Sequence, residues 1–172
     1  MLMYKNGDAS AFENLYLRHK GPVYRYVLRH CSDKSIAEEL FQDIWMKLIN
    51  ARERYEVKAA FNTYLYQIAH NRIIDHFRKA KTGSFEANDS EIDLLQSRQQ
   101  DQPEIHSEIQ QQNQKILDCI AKLPADQREV FLLKEEAGMS IQAIAETMGI
   151  NAETAKSRLR YAVKKLRQAL DE

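Results

Sequence analysis

MSIQAIAETMGINAETAKSRLRYAVKKLR (Met139–Arg167) is the stretch on which the reading of this chain turns. Ser140 is a good N-cap, because its hydroxyl can accept one of the backbone N–H groups left unpaired at a helix start. Ile141, Ile144, Ala145 and Met148 then recur at three-and-four spacing, which marks one apolar face over two turns. Gly149 stands where a left-handed residue would stop that helix. Ile150 is an apolar plug, Asn151 a second N-cap, and Ala152, Ala155, Leu159, Ala162, Val163 and Leu166 predict the inner face of a further helix. Helix, glycine turn, cap and second helix in this order form a helix-turn-helix pattern.

The outer face of the second helix is basic. Lys156, Ser157, Arg160, Tyr161 and Lys164 lie on it, with Arg158, Lys165 and Arg167 at its flanks. Such side chains contact phosphates and base edges in the major groove, and arginine pairs bidentately with guanine. A basic helix by itself reads as a solvated surface; the capped turn in front of it shifts the reading to duplex DNA. The chain as a whole has no net charge, with 25 basic and 25 acidic residues. The charge is unevenly placed, however: Ala152–Gln168 holds six basic residues and one acid. A local stripe of this kind, rather than the overall balance, is the footprint of nucleic-acid binding.

Upstream, Leu123–Pro124 stops a helix carrying Ile116, Leu117, Ile120 and Leu123, and Ala125–Asp126 starts another with Val130, Phe131, Leu132 and Leu133. Residues 113–172 therefore read as a compact helical domain. Residues 82–112 contain seven acids, one arginine and a glutamine-rich tail without sustained periodicity, and read as a flexible acidic linker in which Ile92, Leu94 and Leu95 form one short docked turn. Residues 1–81 are again helical. Phe12, Leu15, Tyr16 and then Val23, Tyr24, Val27, Leu28 form two amphipathic stretches, with a break or kink expected at Gly21–Pro22. After Ser32 and Asp33, a third helix sets Ile36, Leu40, Phe41, Ile44, Trp45 and Leu48 against an acidic-amide face of Glu38, Glu39, Gln42 and Asp43. Asn50–Ala60 is irregular. A fourth helix runs from Phe61 into the basic residues Arg78, Lys79 and Lys81. The fold class expected is all-α, two small helical domains joined by a linker.

Several functions are disfavoured. There is no serine–histidine–acid set, no glycine-rich phosphate loop and no metal-ligand spacing, so neither an enzyme nor a bound cofactor or metal is expected. The five histidines are scattered, and His30 beside Cys31 reads as a surface imidazole next to a half-buried thiol. No apolar run approaches the roughly 20 residues of a membrane span, and Met1–Gly7 lacks the order of a signal peptide. A cytoplasmic protein without membrane insertion is expected. Tyr64, Tyr66, His70, Asn71, Arg72, Phe77 and Arg78 put aromatic and cationic groups on one helix, a combination suited to unstacked single-stranded bases.

Three segments together resemble a bacterial RNA polymerase sigma factor of the extracytoplasmic-function type. AEELFQDIWMKL (Ala37–Leu48) is similar to the region-2 helix that docks on the clamp coiled coil of the polymerase. FNTYLYQIAHNRIIDHFRK (Phe61–Lys79) is similar to the helix that engages the −10 promoter element, and Leu123–Arg167 to region 4, which binds the −35 element. The resemblance covers nearly the whole chain. It implies binding to core RNA polymerase and to promoter DNA, with no small-molecule substrate, and an anti-sigma factor as a further partner. It implies that Tyr55 and Asn71 approach a pocket for a flipped −10 base and that Arg72, Arg78 and Lys79 face DNA backbone. Glu39, Gln42 and Asp43 would sit on the polymerase-binding face, and Lys156, Ser157, Arg158, Arg160, Tyr161 and Lys164 at the −35 duplex. The chain departs from the family's usual residues at Asp43 (commonly Glu), Ala155 (commonly Val) and Tyr161 (frequently Arg), and the first region-2 helix is expected to be trimmed. The competing reading is a stand-alone helix-turn-helix regulator with an N-terminal interaction domain, which would have no use for a polymerase-docking helix.

Overall fold

The computed structural model describes residues 1–31, 33–83 and 108–171, and those residues form α-helices and loops with no strand among them. Most of the segment expected to be an acidic linker, including Ile92, Leu94 and Leu95, lies outside the described residues, as does Ser32.

The N-terminal half is built from α1 (Leu2–Lys5), α2 (Ala9–Leu28), α3 (Lys34–Asn50) and α4 (Phe61–Gly83), with a single 3-10 turn at Arg52–Arg54 in the irregular segment. Asp8 caps α2 by accepting from the Ala11 N–H at 3.2 Å, and Asp33 caps α3 by accepting from Ser35 N and Ile36 N. Of the break or kink expected at Gly21–Pro22, the break does not occur. Pro22 sits inside a continuous α2. The proline removes one backbone donor there, and the apolar face that continues across it compensates: Val23, Tyr26 and Val27 are fully buried against α3 and α4. Tertiary burial has overridden a local breaker.

This half contributes Val23, Tyr26, Val27, Ala37, Leu40, Ile44, Trp45, Leu48, Leu65, Tyr66, Ala69 and Ile73 to one hydrophobic core that continues into the C-terminal half. One side of it is an aromatic cluster. The Trp45 ring meets Tyr16 at 4.9 Å, Phe12 at 6.0 Å and Phe41 at 6.2 Å between centroids, all edge-to-face. This geometry suits the positive edge and negative face of aromatic rings.

The C-terminal half comprises α5 (Glu108–Ala121), α6 (Ala125–Glu135), α7 (Ile141–Met148) and α8 (Ala152–Asp171). The turn chemistry is as its residues dictate. Ser140 Oγ accepts from Ala143 N at 3.1 Å, and Asn151 Oδ1 accepts from Thr154 N at 2.7 Å. Gly149 adopts φ +66°, ψ +31°, the left-handed conformation that an L side chain resists. Val130, Leu132, Leu133, Ile144, Ala145, Ala155, Ala162 and Leu166 are buried between α6, α7 and α8. Ile116 and Leu117 on α5, expected inward, are exposed.

Cys31 is half-buried, and burial, with the nearby Asp33 carboxylate, pushes its thiol up to about 11. Thiolate is the reactive form, so at pH 8 Cys31 is expected to react with iodoacetamide roughly 100-fold more slowly than a free cysteine, two pKa units being a hundredfold in thiolate. Mass spectrometry of timed quenches measures the rate; alkylation at the rate of free cysteine would contradict the buried placement.

Candidate nucleic-acid interface

The helix-turn-helix presents α8 as expected. Ala155 and Ala162 are fully buried on its inner side, while Lys156, Arg160, Tyr161 and Lys164 are exposed on the other. Lys156, Leu159, Arg160, Val163, Lys164 and Arg167 line one shallow groove along the helix. Leu159 and Val163 give it apolar character and the four cations give it positive charge, a surface that suits a phosphate backbone and thymine methyl groups. The Arg160 guanidinium lies 5.4 Å from the centroid of the Tyr161 ring, which is 50 % exposed. Ser157 Oγ donates to the Thr154 carbonyl at 3.0 Å.

Arg158 is placed differently from the expectation. It forms an ion pair with Asp126 at 2.5 Å and is mostly covered, so it braces α8 against the start of α6 rather than facing outward with Arg160. The cause is helical phase: position 158 lies between the inner positions 155, 159 and 162 and the outer ones.

On the N-terminal half, Asn71 is exposed on α4, followed on the same stripe by Ile74, also exposed, and Arg78. Arg78 pairs with Asp75 at 2.9 Å, and Lys79 is exposed. Two other expected residues are engaged elsewhere. Tyr55 is only 5 % exposed, its ring 5.0 Å edge-to-face from Tyr64, and its carbonyl accepts from Lys5 Nζ at 2.7 Å. It is part of the interior floor below α4. Arg72 donates from Nε (2.8 Å) and Nη2 (2.5 Å) to Asp43 Oδ2, with Glu39 Oε1 3.9 Å from Nη2. Its side chain is 15 % exposed. The residue expected on DNA backbone therefore ties α4 to the face of α3 expected on polymerase. That face carries exposed Glu39 and Gln42, half-buried Asp43 and, one turn on, exposed Met46. Met46 escaped the sequence reading because it lies between Trp45 and Lys47; its i+3 spacing from Asp43 was the available signal.

The polar cluster that sequence reading missed altogether is buried. Glu129 on α6 accepts from Tyr26 Oη at 2.5 Å, and its two oxygens lie 2.5 Å from His30 Nε2 and 2.8 Å from His70 Nδ1. His30, read as a surface imidazole, is in fact buried, at 7 % exposed. Its Nδ1 faces the Tyr26 carbonyl at 2.7 Å. A carbonyl only accepts, so Nδ1 carries a hydrogen there, and Nε2 faces the carboxylate. Burial by itself raises the Glu129 carboxyl, but the His30 charge and hydrogen bonds from both histidines outweigh it and hold the group well below the usual carboxylate range. Burial, with the Glu129 charge beside it, pushes the Tyr26 hydroxyl well above its ordinary value. Nothing in the spacing of residues 26, 30, 70 and 129 betrays this convergence. Among the described residues, no group of three or more His, Cys, Asp or Glu side chains is arranged to hold a metal ion, and no helix is long and apolar enough to cross a membrane.

Comparison with known proteins gives these surfaces a context. The family model described as Sigma-70 region 2 matches residues 15–82, and the one described as Sigma-70, region 4 matches residues 113–166. The chain is 28% identical over 172 residues to the RNA polymerase sigma factor CarQ of Myxococcus xanthus, covering all of this chain and 96% of that protein. It is 29% identical over 168 residues to the ECF RNA polymerase sigma factor SigK of Mycobacterium sp. (strain KMS), covering 95% and 84%. Among solved structures, it resembles CnrH in complex with the cytosolic domain of CnrY (TM-score 0.69, 19% identity, 99% and 94% covered). It also resembles the sigma factor RpoE in complex with the anti-sigma factor NepR from Bartonella quintana (TM-score 0.69, 22% identity, 95% and 98% covered). At these identities the structural likeness speaks to the fold.

Proposed function

This chain belongs to the sigma-70 family, in its extracytoplasmic-function group, and from that membership we propose how its residues divide the work of promoter recognition. Its function is to bind core RNA polymerase and direct it to promoters; it is a transcription initiation factor and carries no catalytic set of its own. The observation that carries this reading is the pairing of two matched regions on one chain, region 2 over residues 15–82 and region 4 over 113–166. A stand-alone regulator would account for the second and not the first.

In this reading residues 1–81 form the polymerase-docking and −10 domain, 82–112 the linker, and 113–172 the −35 domain. Lys156, Ser157, Arg160, Tyr161 and Lys164 face the −35 duplex. Arg158 supports them through Asp126. Asn71, Arg78 and Lys79 meet the −10 element, with Ile74 as an apolar contact between them. Glu39, Gln42, Asp43 and Met46 contact the polymerase, and Arg72 fixes Asp43 in place. Tyr55 holds the floor of the −10 helix. Unstacking a base costs a few kcal/mol, offset by a pocket that receives it; Asn71, exposed on α4, supplies hydrogen bonds to such a base. The work is done in the cytoplasm alongside polymerase, and the partner that restrains it is an anti-sigma factor, the kind of protein bound to the Bartonella neighbour.

Run-off transcription with core polymerase on a pool of genomic fragments tests the reading: discrete promoter-dependent transcripts support it, and no association with core overturns it. Within it, Asn71→Ala is expected to slow promoter melting by up to about tenfold, the worth of a neutral hydrogen bond, while core binding stays unchanged. Permanganate footprinting of the −10 segment measures this. Unaltered melting would remove Asn71 from the pocket.

A further inference from the structure

The short helix α1 lies ahead of the matched region 2, which begins at residue 15, yet it reaches across the fold to the irregular connection between α3 and α4. Lys5 Nζ donates to the Tyr55 carbonyl at 2.7 Å, over fifty positions of sequence. The Arg52 guanidinium stands over the Tyr4 ring, 5.3 Å from its centroid. Tyr4 is buried, and its ring also meets Phe12, at 4.9 Å between centroids. Phe12 belongs to the aromatic cluster around Trp45. α1 is therefore anchored on the core, and two of its side chains hold the connection: one at the start of the 3-10 turn and one just past its end.

That connection has little to order it from within. Its backbone bonds are local: Arg54 N–H to the Ala51 carbonyl at 3.1 Å, Tyr55 N–H to the Arg52 carbonyl at 3.3 Å and Lys58 N–H to the Glu56 carbonyl at 3.0 Å. Glu56, Val57, Lys58, Ala59 and Ala60 are all exposed. Segments with few buried contacts and exposed backbone bonds open most easily. Tyr55, the buried residue of the connection, is held from both sides, its carbonyl by Lys5 and its ring edge-to-face on Tyr64. Tyr64 stands on α4 seven residues before Asn71, which stands seven before Arg78. Seven residues are close to two helical turns, so the three share a face, the one assigned above to the −10 element. α1 thus sets where residues 56–60 stand relative to Asn71.

We propose that α1 positions the −10 reading surface: Lys5, through the Tyr55 carbonyl, and Tyr4, through Arg52, fix residues 51–60 against α4, so that a base flipped out beside Asn71 meets a wall already in place. Neither Lys5 nor Tyr4 touches DNA. Their effect is preorganisation, since a connection ordered before DNA arrives loses less freedom on binding. This proposal rests on the sigma-factor reading and gives a role to a helix outside the matched region.

Two substitutions test it. Lys5→Met removes the donor and keeps the aliphatic stem, whereas Lys5→Arg keeps a cationic donor of similar reach. Parent and variants, each assembled with core polymerase, are compared by permanganate footprinting of the −10 segment. They are also compared by binding to a single-stranded non-template −10 oligonucleotide from a promoter mapped by run-off transcription, in its cognate form and with the flipped base replaced by each of the others. Core affinity and −35 duplex binding are measured alongside. For Lys5→Met, melting and cognate −10 binding are expected to fall about tenfold, the effect of losing one hydrogen bond from a charged donor, and the preference for the cognate base to shrink. Core and −35 binding stay at the parent level, and Lys5→Arg recovers most of the loss. Unchanged melting and selectivity overturn the proposal. So does an equal loss on every oligonucleotide with a salt slope shallower by about 0.7, which makes Lys5 a phosphate contact. A parallel loss of core affinity also overturns it, because α1 then merely supports the fold. Should Lys5→Met fail to fold, Tyr4→Leu, which keeps an apolar plug and removes the ring under Arg52, decides by the same readouts. A parent chain that binds no core polymerase sinks the sigma-factor reading and this proposal with it; a working parent matched by Lys5→Met sinks this proposal alone.

Discussion

Replacing Trp45 with alanine is expected to cost about 3–5 kcal/mol of stability, the range for deleting a large buried aromatic. Trp45 is 4 % exposed and stands at the junction of α2 and α3, with Phe12, Tyr16 and Phe41 arranged edge-on around its ring. Alanine would leave a void bounded by three aromatic rings that cannot all collapse into it. The edge-to-face geometry adds about 0.5–1.5 kcal/mol per pair beyond simple burial. Small domains are marginally stable, with total stabilities of about 5–15 kcal/mol, so the N-terminal half would be partly unfolded at ambient temperature. The functional consequence follows from position: Asp43 and Met46 flank Trp45 on the outer side of α3, so the proposed polymerase surface would be lost with it. Trp45→Phe should be far milder. It keeps an aromatic edge in the cluster and removes an indole Nε1–H that has no acceptor among the described residues. Urea denaturation followed by circular dichroism measures both; fluorescence is unsuitable because this is the chain's one tryptophan. Equal stabilities of the two variants would mean that the cluster is loosely packed.

The same pair of helices shows what a sequence exposes and what it hides. Periodicity identified Leu40, Ile44, Trp45 and Leu48 as one buried face, and all four are buried. The helix-turn-helix was legible nearly residue by residue, because its determinants are local: two caps, one left-handed glycine and a three-and-four apolar pattern. At Pro22 the sequence leaves a break or a kink open, because a local breaker cannot be weighed without the tertiary burial of Val23, Tyr26 and Val27 that carries the helix through it. The Glu129 cluster was invisible for a different reason. Its members are ordinary polar residues separated by as many as 103 positions, and only the docking of one half on the other brings them together. Tyr55, Arg72 and Arg158 belong to the same class. The residue type fits a DNA contact at each of them, yet where the side chain lies in this structure depends on phase and on a neighbour: Tyr64, Asp43 and Asp126 respectively.

Arg160→Ala is expected to weaken binding to the −35 duplex by about 1–3 kcal/mol, roughly 5- to 150-fold, if the guanidinium reads a base edge. Arg160 is exposed on the outer face of α8, and its guanidinium lies 5.4 Å from the centre of the Tyr161 ring. That stacking leaves the planar donors free at its edge and restrains the side chain before DNA arrives, so less rotamer freedom is lost on binding. The sign of the effect is the same for a phosphate contact, and salt separates the two. A phosphate contact contributes about 0.9 to the slope of log K against log salt concentration, independent of sequence. A base contact contributes a loss confined to the cognate duplex. Fluorescence anisotropy on cognate and scrambled duplexes at several salt concentrations measures both quantities. Lys164→Ala provides the phosphate standard, with a uniform loss and a shallower slope. Arg158→Ala provides the complementary case: its charge is already paired with Asp126, so its removal should lower the melting temperature of the C-terminal half more than it changes the salt slope. A slope altered as much by Arg158→Ala as by Lys164→Ala would mean that the Asp126 pair opens on DNA and that Arg158 returns to the outer face. If Arg160→Ala loses equally on scrambled DNA, Tyr161 beside it becomes the base reader, and Tyr161→Arg, which restores the residue frequent in the family, should then shift sequence preference rather than strengthen binding throughout.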